Sequence, residues 1–234
     1  MESIPTGHGE VRGASDTMDA VSSPWSVVIP VKRPDVAKSR LAEAVGEVRP
    51  ELARAFAADT LTAVLASTRV TSAVVVTDDP AVAADATTAG ALVVEDAPAA
   101  GLNAALRHGA AALVAQNAER RGGLVALAAD LPALRSEELD RCLDAAADHP
   151  TSIVSDAAGT GTTMYAAVPP ADFQPLFGGR SRAAHRSAGA LEIDRADVPS
   201  VRRDVDTAVD LWDAQRMGLG PRSAALLNPR VCGA

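Results

Sequence analysis

Trp25-Ser-Val-Val-Ile-Pro30 is a short apolar run broken only by Ser26, and the loop after it reads Val31-Lys-Arg-Pro-Asp-Val-Ala-Lys-Ser-Arg-Leu41. Six residues are too few for a stable helix, and the β-branched content favours a strand. The near-continuous hydrophobicity predicts a strand covered on both faces, as in a parallel sheet packed between helices.

The chain downstream repeats this pattern. Pro50 opens a helical stretch to about Ser67, with Leu52, Phe56, Leu61 and Leu65 near one face. Ala73 to Thr77 reads as a second buried strand, and Asp79 caps an Ala-rich helix that Pro80 starts. Leu92 to Val94 is a third strand, followed by a helix from about Leu102 to Ala118. Leu124 to Leu127 is a fourth strand, and Ser136 is expected to cap a helix to about Ala147. Ser152 to Ser155 and Thr162 to Val168 read as further strands. Ser181 is expected to cap a short helix, Leu191 to Ile193 is strand-like, and Thr207 begins a last helix through about Met217. Alternating strands and helices predict a single α/β domain: a mostly parallel central sheet flanked by helices, with an antiparallel addition at its edge. The expected organisation is a disordered extension over 1–23, the domain over 24–217, and a loosely packed tail over 218–234 that Pro221 and Pro229 interrupt.

Composition narrows the function. Hydrophobic residues make up 47% of the 234 but aromatics only 3%, so the core is built from small side chains. A net charge of −8 argues against sequence-independent nucleic-acid binding. No apolar run approaches the roughly 20 residues that span a bilayer, and the N-terminus lacks a secretory h-region. Cys142 and Cys232 match no metal spacing, and with the missing leader they suggest a reducing cytoplasm. Of 22 basic side chains only Lys32 and Lys38 are lysines, and both sit in the loop after the first strand. Compact ammonium groups at a strand's carboxyl end suit polyphosphate. A solvated basic loop would look the same.

Ligands of such sheets sit beyond the carboxyl ends of the strands. The fourth strand runs into Ala128-Ala-Asp-Leu-Pro132, where Asp130 could hold a magnesium ion or simply begin the turn. Asp204 and Asp206, two apart, share a face in extended backbone and could reach one cation, unless Asp206 instead caps the next helix. Gly159-Thr-Gly-Thr-Thr163 offers backbone N–H groups and hydroxyls to an anion. Phe177-Gly-Gly-Arg-Ser181 leads a glycine turn into a helix N-terminus, with Arg180, Arg182 and His185 nearby. Neither GxxxxGK[ST] nor GxGxxG occurs after the first strand, which disfavours P-loop NTPases and conventional NAD enzymes.

Taken in order, several of these segments resemble a known family. They are Ile29-Pro-Val-Lys32, Ala37-Lys-Ser-Arg-Leu41, Val76-Thr-Asp-Asp79, Gly101-Leu-Asn-Ala-Ala-Leu106, Ala129-Asp-Leu-Pro132, Gly159-Thr-Gly-Thr-Thr163, Phe177 to Ser181 with His185, and Asp204-Val-Asp-Thr207. The set is similar to the 2-phospho-L-lactate and phosphoenolpyruvate guanylyltransferases (CofC/FbiD type) of deazaflavin coenzyme F-420 biosynthesis. The resemblance implies a nucleotidyltransferase fold like that of the molybdopterin guanylyltransferases, whose glycine-rich opening loop is replaced here by Pro30-Val-Lys32. It implies Mg²⁺ on Asp130, Asp204 and Asp206, and the acid's phosphate and carboxylate on Thr163, Gly178 and Ser181. Lys32 and Lys38, with Arg40, would face the GTP phosphates, and Gly101 and Asn103 the guanosine. Lys32, Lys38 and Asp130 would be the catalytic set.

The Ala- and Arg-rich composition points to an actinobacterial type of enzyme and so to phosphoenolpyruvate, with 2-phospho-L-lactate and 3-phosphoglycerate as the other acceptors. The acceptor phosphate is already ionised, so no general base is required, and His185 is expected to be structural or anion-contacting. Product could pass directly to the next enzyme. Two rivals remain at this point: a nucleotide-sugar glycosyltransferase using its Asp-x-Asp pair, and a catalytically silent GTP-binding regulator.

Overall fold

The computed structural model describes residues 24–32, 41, 45–97, 99–116, 122–169 and 171–227. The expected extension over 1–23 lies outside them. The strands are β1 (Trp25–Pro30), β2 (Val70–Val76), β3 (Leu92–Val94), β4 (Gly123–Leu127), β5 (Thr151–Ser155), β6 (Thr162–Ala167) and β7 (Leu191–Glu192). The helices are α1 (Arg49–Ala66), α2 (Pro80–Ala89), α3 (Leu102–Gln116), α4 (Ser136–Ala146), α5 (Ser181–Ser187), α6 (Pro199–Arg202), α7 (Ala208–Met217) and α8 (Pro221–Leu227).

All seven strands form one sheet in the order β3-β2-β1-β4-β6-β5-β7. β1 lies between β2 and β4 and is parallel to both. Its period-2 alternation divides the core. Val27 and Ile29 face a cluster with Leu61, Val64, Leu139 and Leu143, whereas Val28 faces one with Leu106, Leu113 and Tyr165. This two-sided burial is what the apolar run of β1 predicts. On the second face α3 comes very close to the sheet: a Cβ at Gly109 would lie 2.6 Å from a Val76 methyl and 2.7 Å from a Val28 methyl.

Three expectations change. Among the described residues β6 is the one strand antiparallel to its neighbours, but it sits inside the sheet between β4 and β5, not at the edge. All six of its residues are buried, which only an interior position allows. The N-cap of α4 is Arg135, with Ser136 its first helical residue, and no side chain caps that end. The tail expected from Gly218 is ordered through α8, so α7 is not the last helix.

The docking of α8 has a specific physical cause. Asp59, 5% exposed on α1, accepts hydrogen bonds from the N–H groups of Arg222 (3.1 Å) and Ser223 (2.8 Å) and from the Ser223 hydroxyl (2.5 Å). A buried carboxylate thus takes orphan donors of a helix N-terminus. Gly220 passes so near that a Cβ there would lie 2.4 Å from the Asp59 carboxyl carbon, and its N–H donates to Pro132 O at 2.7 Å. The C-terminal segment therefore braces the loop after β4. Replacing Asp59 by Ala should lower the unfolding free energy by about 2–4 kcal/mol, since several donors lose a charged acceptor at once. Urea denaturation measures this, and an unchanged midpoint would show that α8 does not depend on the carboxylate.

Candidate active site

The winding direction reverses between β1 and β4: the chain runs outward through β2 and β3, then returns to the other side of β1. A crevice at the carboxyl ends of those two strands follows from this topology. A cleft of about 670 Å³ lies there, reached by Lys32 from the end of β1 and by Asp130 from the end of β4. Asp156, Thr160, Gly161 and Thr162 from the β5–β6 region, Gly178, Gly179 and Ser181, and Asp204 and Asp206 complete its polar lining. Leu102, Leu106 and Phe177 supply an apolar part.

Asp130 is held from two sides. The Thr60 hydroxyl, fully buried on α1, accepts from Leu131 N–H at 3.1 Å and lies 3.1 Å from Ala129 O and 2.8 Å from Phe56 O, to which it can donate. Ala128 N–H donates to Thr163 O of β6 at 2.8 Å. Asp130 O accepts from Val205 N–H at 3.1 Å, which joins its loop to the Asp204–Asp206 segment. Val205 is fully buried against Leu52 and Phe56, so its two flanking aspartates turn the other way and line the cleft. The helix cap that could have claimed Asp206 belongs to Thr207, which forms a capping box with Asp210.

The three carboxylates expected to hold metal thus share one cleft. Among the described residues, no three His, Cys, Asp or Glu side chains are gathered into a ready-made metal cage. Mg²⁺ is commonly bound by one or two carboxylates with waters and substrate phosphates completing its shell. The all-oxygen donor set fits the same ion.

The anion loops differ in detail from expectation. Within Gly159–Thr163 the N–H groups of Thr160 and Gly161 are already taken by the Asp156 carboxylate, each at 2.8 Å. Thr163 is 1% exposed with its hydroxyl directed at Val154 O (3.4 Å); Thr162, where the β5–β6 register shifts, is the threonine that lines the cleft. Arg180 is the N-cap of α5 and Ser181 its first residue; the buried Ser181 lines the cleft without capping. Gly101 precedes α3 with φ +92°, in the left-handed region, and neither it nor Asn103 lines the cleft. The Asn103 amide instead binds Phe177, accepting from its N–H at 2.8 Å and donating to its C=O at 2.9 Å. Lys32 is exposed, while Lys38 and Arg40 lie outside the described residues.

His185 organises the neighbouring wall. It is 1% exposed, stacked on Tyr165 (4.9 Å between ring centres) and in a T-shaped pair with Phe177 (5.4 Å). Leu176 N–H donates to Nε2 at 2.8 Å, which leaves the ring proton on Nδ1, 3.2 Å from the Thr162 hydroxyl. Burial pushes its pKa down to about 4, so the ring is neutral near pH 7. This agrees with a structural role for His185.

Thr60, Asp156 and Thr162 were not singled out from the sequence. Asp156 carried a usable signal, since Asp before a Gly-containing turn commonly binds backbone N–H groups ahead of it. Thr60 had none beyond being a polar residue within an apolar helix.

A family model described as "Guanylyl transferase CofC like" matches residues 25–214. The chain belongs to that family. The phosphoenolpyruvate guanylyltransferase of Thermomonospora curvata is 50% identical over 213 residues, 91% of this chain and 92% of its own. That of Salinispora arenicola is 55% identical over 205 residues, 86% of this chain and 92% of its own. Two solved structures share the fold: a putative nucleotide-diphospho-sugar transferase from Desulfovibrio desulfuricans (TM-score 0.64, 19% identity, covering 88% of this chain and 95% of that one) and a nucleotidyl transferase from Methanothermobacter (TM-score 0.58, 21% identity, covering 83% and 97%). The expected nucleotidyltransferase fold is therefore present in this guanylyltransferase, with Pro30-Val-Lys32 where the glycine-rich opening was absent from the sequence.

The depressed pKa of His185 makes stability pH-dependent. An unfolded histidine titrates near 6.5, so between pH 6.5 and about 4 the unfolded chain binds the extra proton and the folded chain does not. The contribution is complete above pH 6.5 and shrinks on acidification, by on the order of 2 kcal/mol at pH 5. Thermal melts from pH 7 to 5 should fall more steeply for the native chain than for His185→Gln. Parallel curves would place the acid sensitivity elsewhere.

Proposed function

We propose that this guanylyltransferase transfers GMP from GTP to phosphoenolpyruvate, giving enolpyruvyl-diphospho-guanosine and pyrophosphate in coenzyme F-420 biosynthesis. The observation that carries the reading is the convergence of Lys32, Asp130, Asp204, Asp206, Gly178 and Ser181 on one cleft at the reversal of strand order. Relatives about half identical over most of their length carry the name phosphoenolpyruvate guanylyltransferase, which favours that acid over 2-phospho-L-lactate and 3-phosphoglycerate.

A phosphate oxygen of the acid forms a bond to the α-phosphorus of GTP, and the bond to the bridging α–β oxygen breaks with its electron pair leaving on pyrophosphate. The attacking phosphate is ionised near neutral pH, so the chain need supply no base. Its task is to bring two anions together and hold them aligned. Lys32, at the mouth of the cleft, offers a cation to the triphosphate, and in this reading Lys38 and Arg40 from the same loop add to it. Gly178 and Ser181, with Thr162 in the place expected for Thr163, receive the small acid. Asp130, Asp204 and Asp206 would hold Mg²⁺, which when bound would offset charge on the phosphates. Guanosine recognition falls to main-chain groups near Gly101 and the apolar Leu102 and Leu106, Asn103 being engaged by Phe177. No helix among the described residues is long and apolar enough to cross a membrane. The reaction is proposed to be cytoplasmic, with possible hand-over of its labile product to the next enzyme.

Purified protein incubated with GTP, Mg²⁺ and each of the three acids in turn should release pyrophosphate with phosphoenolpyruvate and yield a product of the corresponding mass. Turnover with only one of the other acids would reassign the acceptor, and no turnover with any of them would sink the transferase reading. Asp204→Asn should lower kcat by about a thousandfold with an unchanged melting curve. Near-normal turnover from that folded variant would remove Asp204 from the site.

A further inference from the structure

We propose that Asn103 and His185 are paired positioning residues that fix the Leu176–Ser181 segment and thereby set the affinity of the cleft for the small acid. The inference rests on the reading of Gly178 and Ser181 as the acid-binding part of the cleft.

Residues 172–177 belong to no strand or helix, yet their backbone is closely held. Gln174 N–H donates to the Tyr165 hydroxyl at 3.3 Å, Leu176 N–H to His185 Nε2 at 2.8 Å, and Phe177 N–H to Asn103 Oδ1 at 2.8 Å. Asn103 Nδ2 returns a bond to Phe177 O at 2.9 Å, so one carboxamide satisfies both polar groups of one residue as a neighbouring strand would. Side chains from three elements, β6, α3 and α5, therefore perform the work of a missing ladder.

The position of these straps gives them their consequence. Gly178 and Gly179 come next, and a Cβ built at either would meet nothing within 4 Å. That stretch of cleft wall carries no side chain that could pack, so its placement depends on the anchored residues before it and on α5 after it. His185 belongs to both, since it sits on α5 and binds Leu176 while facing Thr162 of the cleft. Both straps are uncharged, Asn103 by nature and His185 because burial disfavours its protonated form. They shape an anion site without changing its charge, which separates them from Lys32 and from the aspartates. Asn103 thus acts on the acid through Phe177, in contrast to the nucleotide contact expected from its place in the Gly101–Leu106 motif.

The test compares the native chain with Asn103→Ala, Asn103→Asp and His185→Gln by steady-state kinetics and by hydrogen exchange of the 174–181 segment. Asn103→Ala should raise KM for phosphoenolpyruvate about tenfold, leave KM for GTP within about twofold, and speed exchange in 174–181. Asn103→Asp, which keeps the acceptor for Phe177 N–H, should retain part of that protection. His185→Gln, able to accept from Leu176 N–H through its side-chain oxygen, should lie between the native chain and Asn103→Ala in both readouts. A raised KM for GTP with unchanged exchange in Asn103→Ala would overturn the proposal and return that residue to the nucleotide. If the native chain makes no product from phosphoenolpyruvate, the functional reading fails on its own, and unchanged exchange in the variants would still refute the straps.

Discussion

Everything in this molecule depends on β1 being enclosed on all sides. Its two edges pair with β2 and β4, and its two faces are covered by separate hydrophobic clusters. A strand so placed must end at the point where the winding changes direction, because the chain leaves toward β2 and comes back at β4. The connection from β1 leads to β2 and that from β4 to β5, so the two run apart along the sheet although α1 and α4 pack on the same face. The cleft is the consequence, and the residues at its mouth, Lys32 and Asp130, are the first polar positions beyond the two apolar runs.

A site built on diverging loops needs bracing, and α1 provides much of it through two consecutive polar residues in an otherwise apolar region. Asp59 anchors the segment that leads into α8, and Thr60 fastens the backbone on both sides of Asp130. The two anchors meet again where Gly220 N–H reaches Pro132 O. Small residues make this possible. Gly109 on α3 and Gly220 let backbones approach to distances that larger side chains would prevent. The scarcity of aromatics is thus part of how the helices come close to the sheet. Near the cleft, Tyr165 and Phe177 pack on His185, and Phe173 packs on Tyr165.

The cleft also handles its own charges. Asp156 occupies the N–H groups of the β5–β6 turn, so a loop that could have offered donors to any anion is closed by an internal carboxylate. Thr162, Gly178, Gly179 and Ser181 line the cleft beside that turn. Lys32 lines the cleft from the end of β1, far along the chain from the Asp204–Asp206 pair.

The sequence by itself determined the elements whose burial is written into their composition. The apolar strands β1, β2 and β4, the Asp79-Pro80 helix start, and the Asp204-Val-Asp206 alternation that turns both carboxylates the same way all follow from local periodicity and capping chemistry. So does the family, through motifs that occur in a fixed order. Tertiary structure alone decided which neighbour satisfies each polar group. Thr162 rather than Thr163 lines the cleft, at the point where the register of β6 against β5 shifts. Asn103 turns to Phe177, and Thr60 to Ala129 and Leu131, across separations of 74, 69 and 71 residues. α8 is ordered by a carboxylate 164 residues earlier. Periodicity reports a residue's relation to water and to its near neighbours along the chain. A hydrogen bond between distant segments exists only once the sheet order has brought them together.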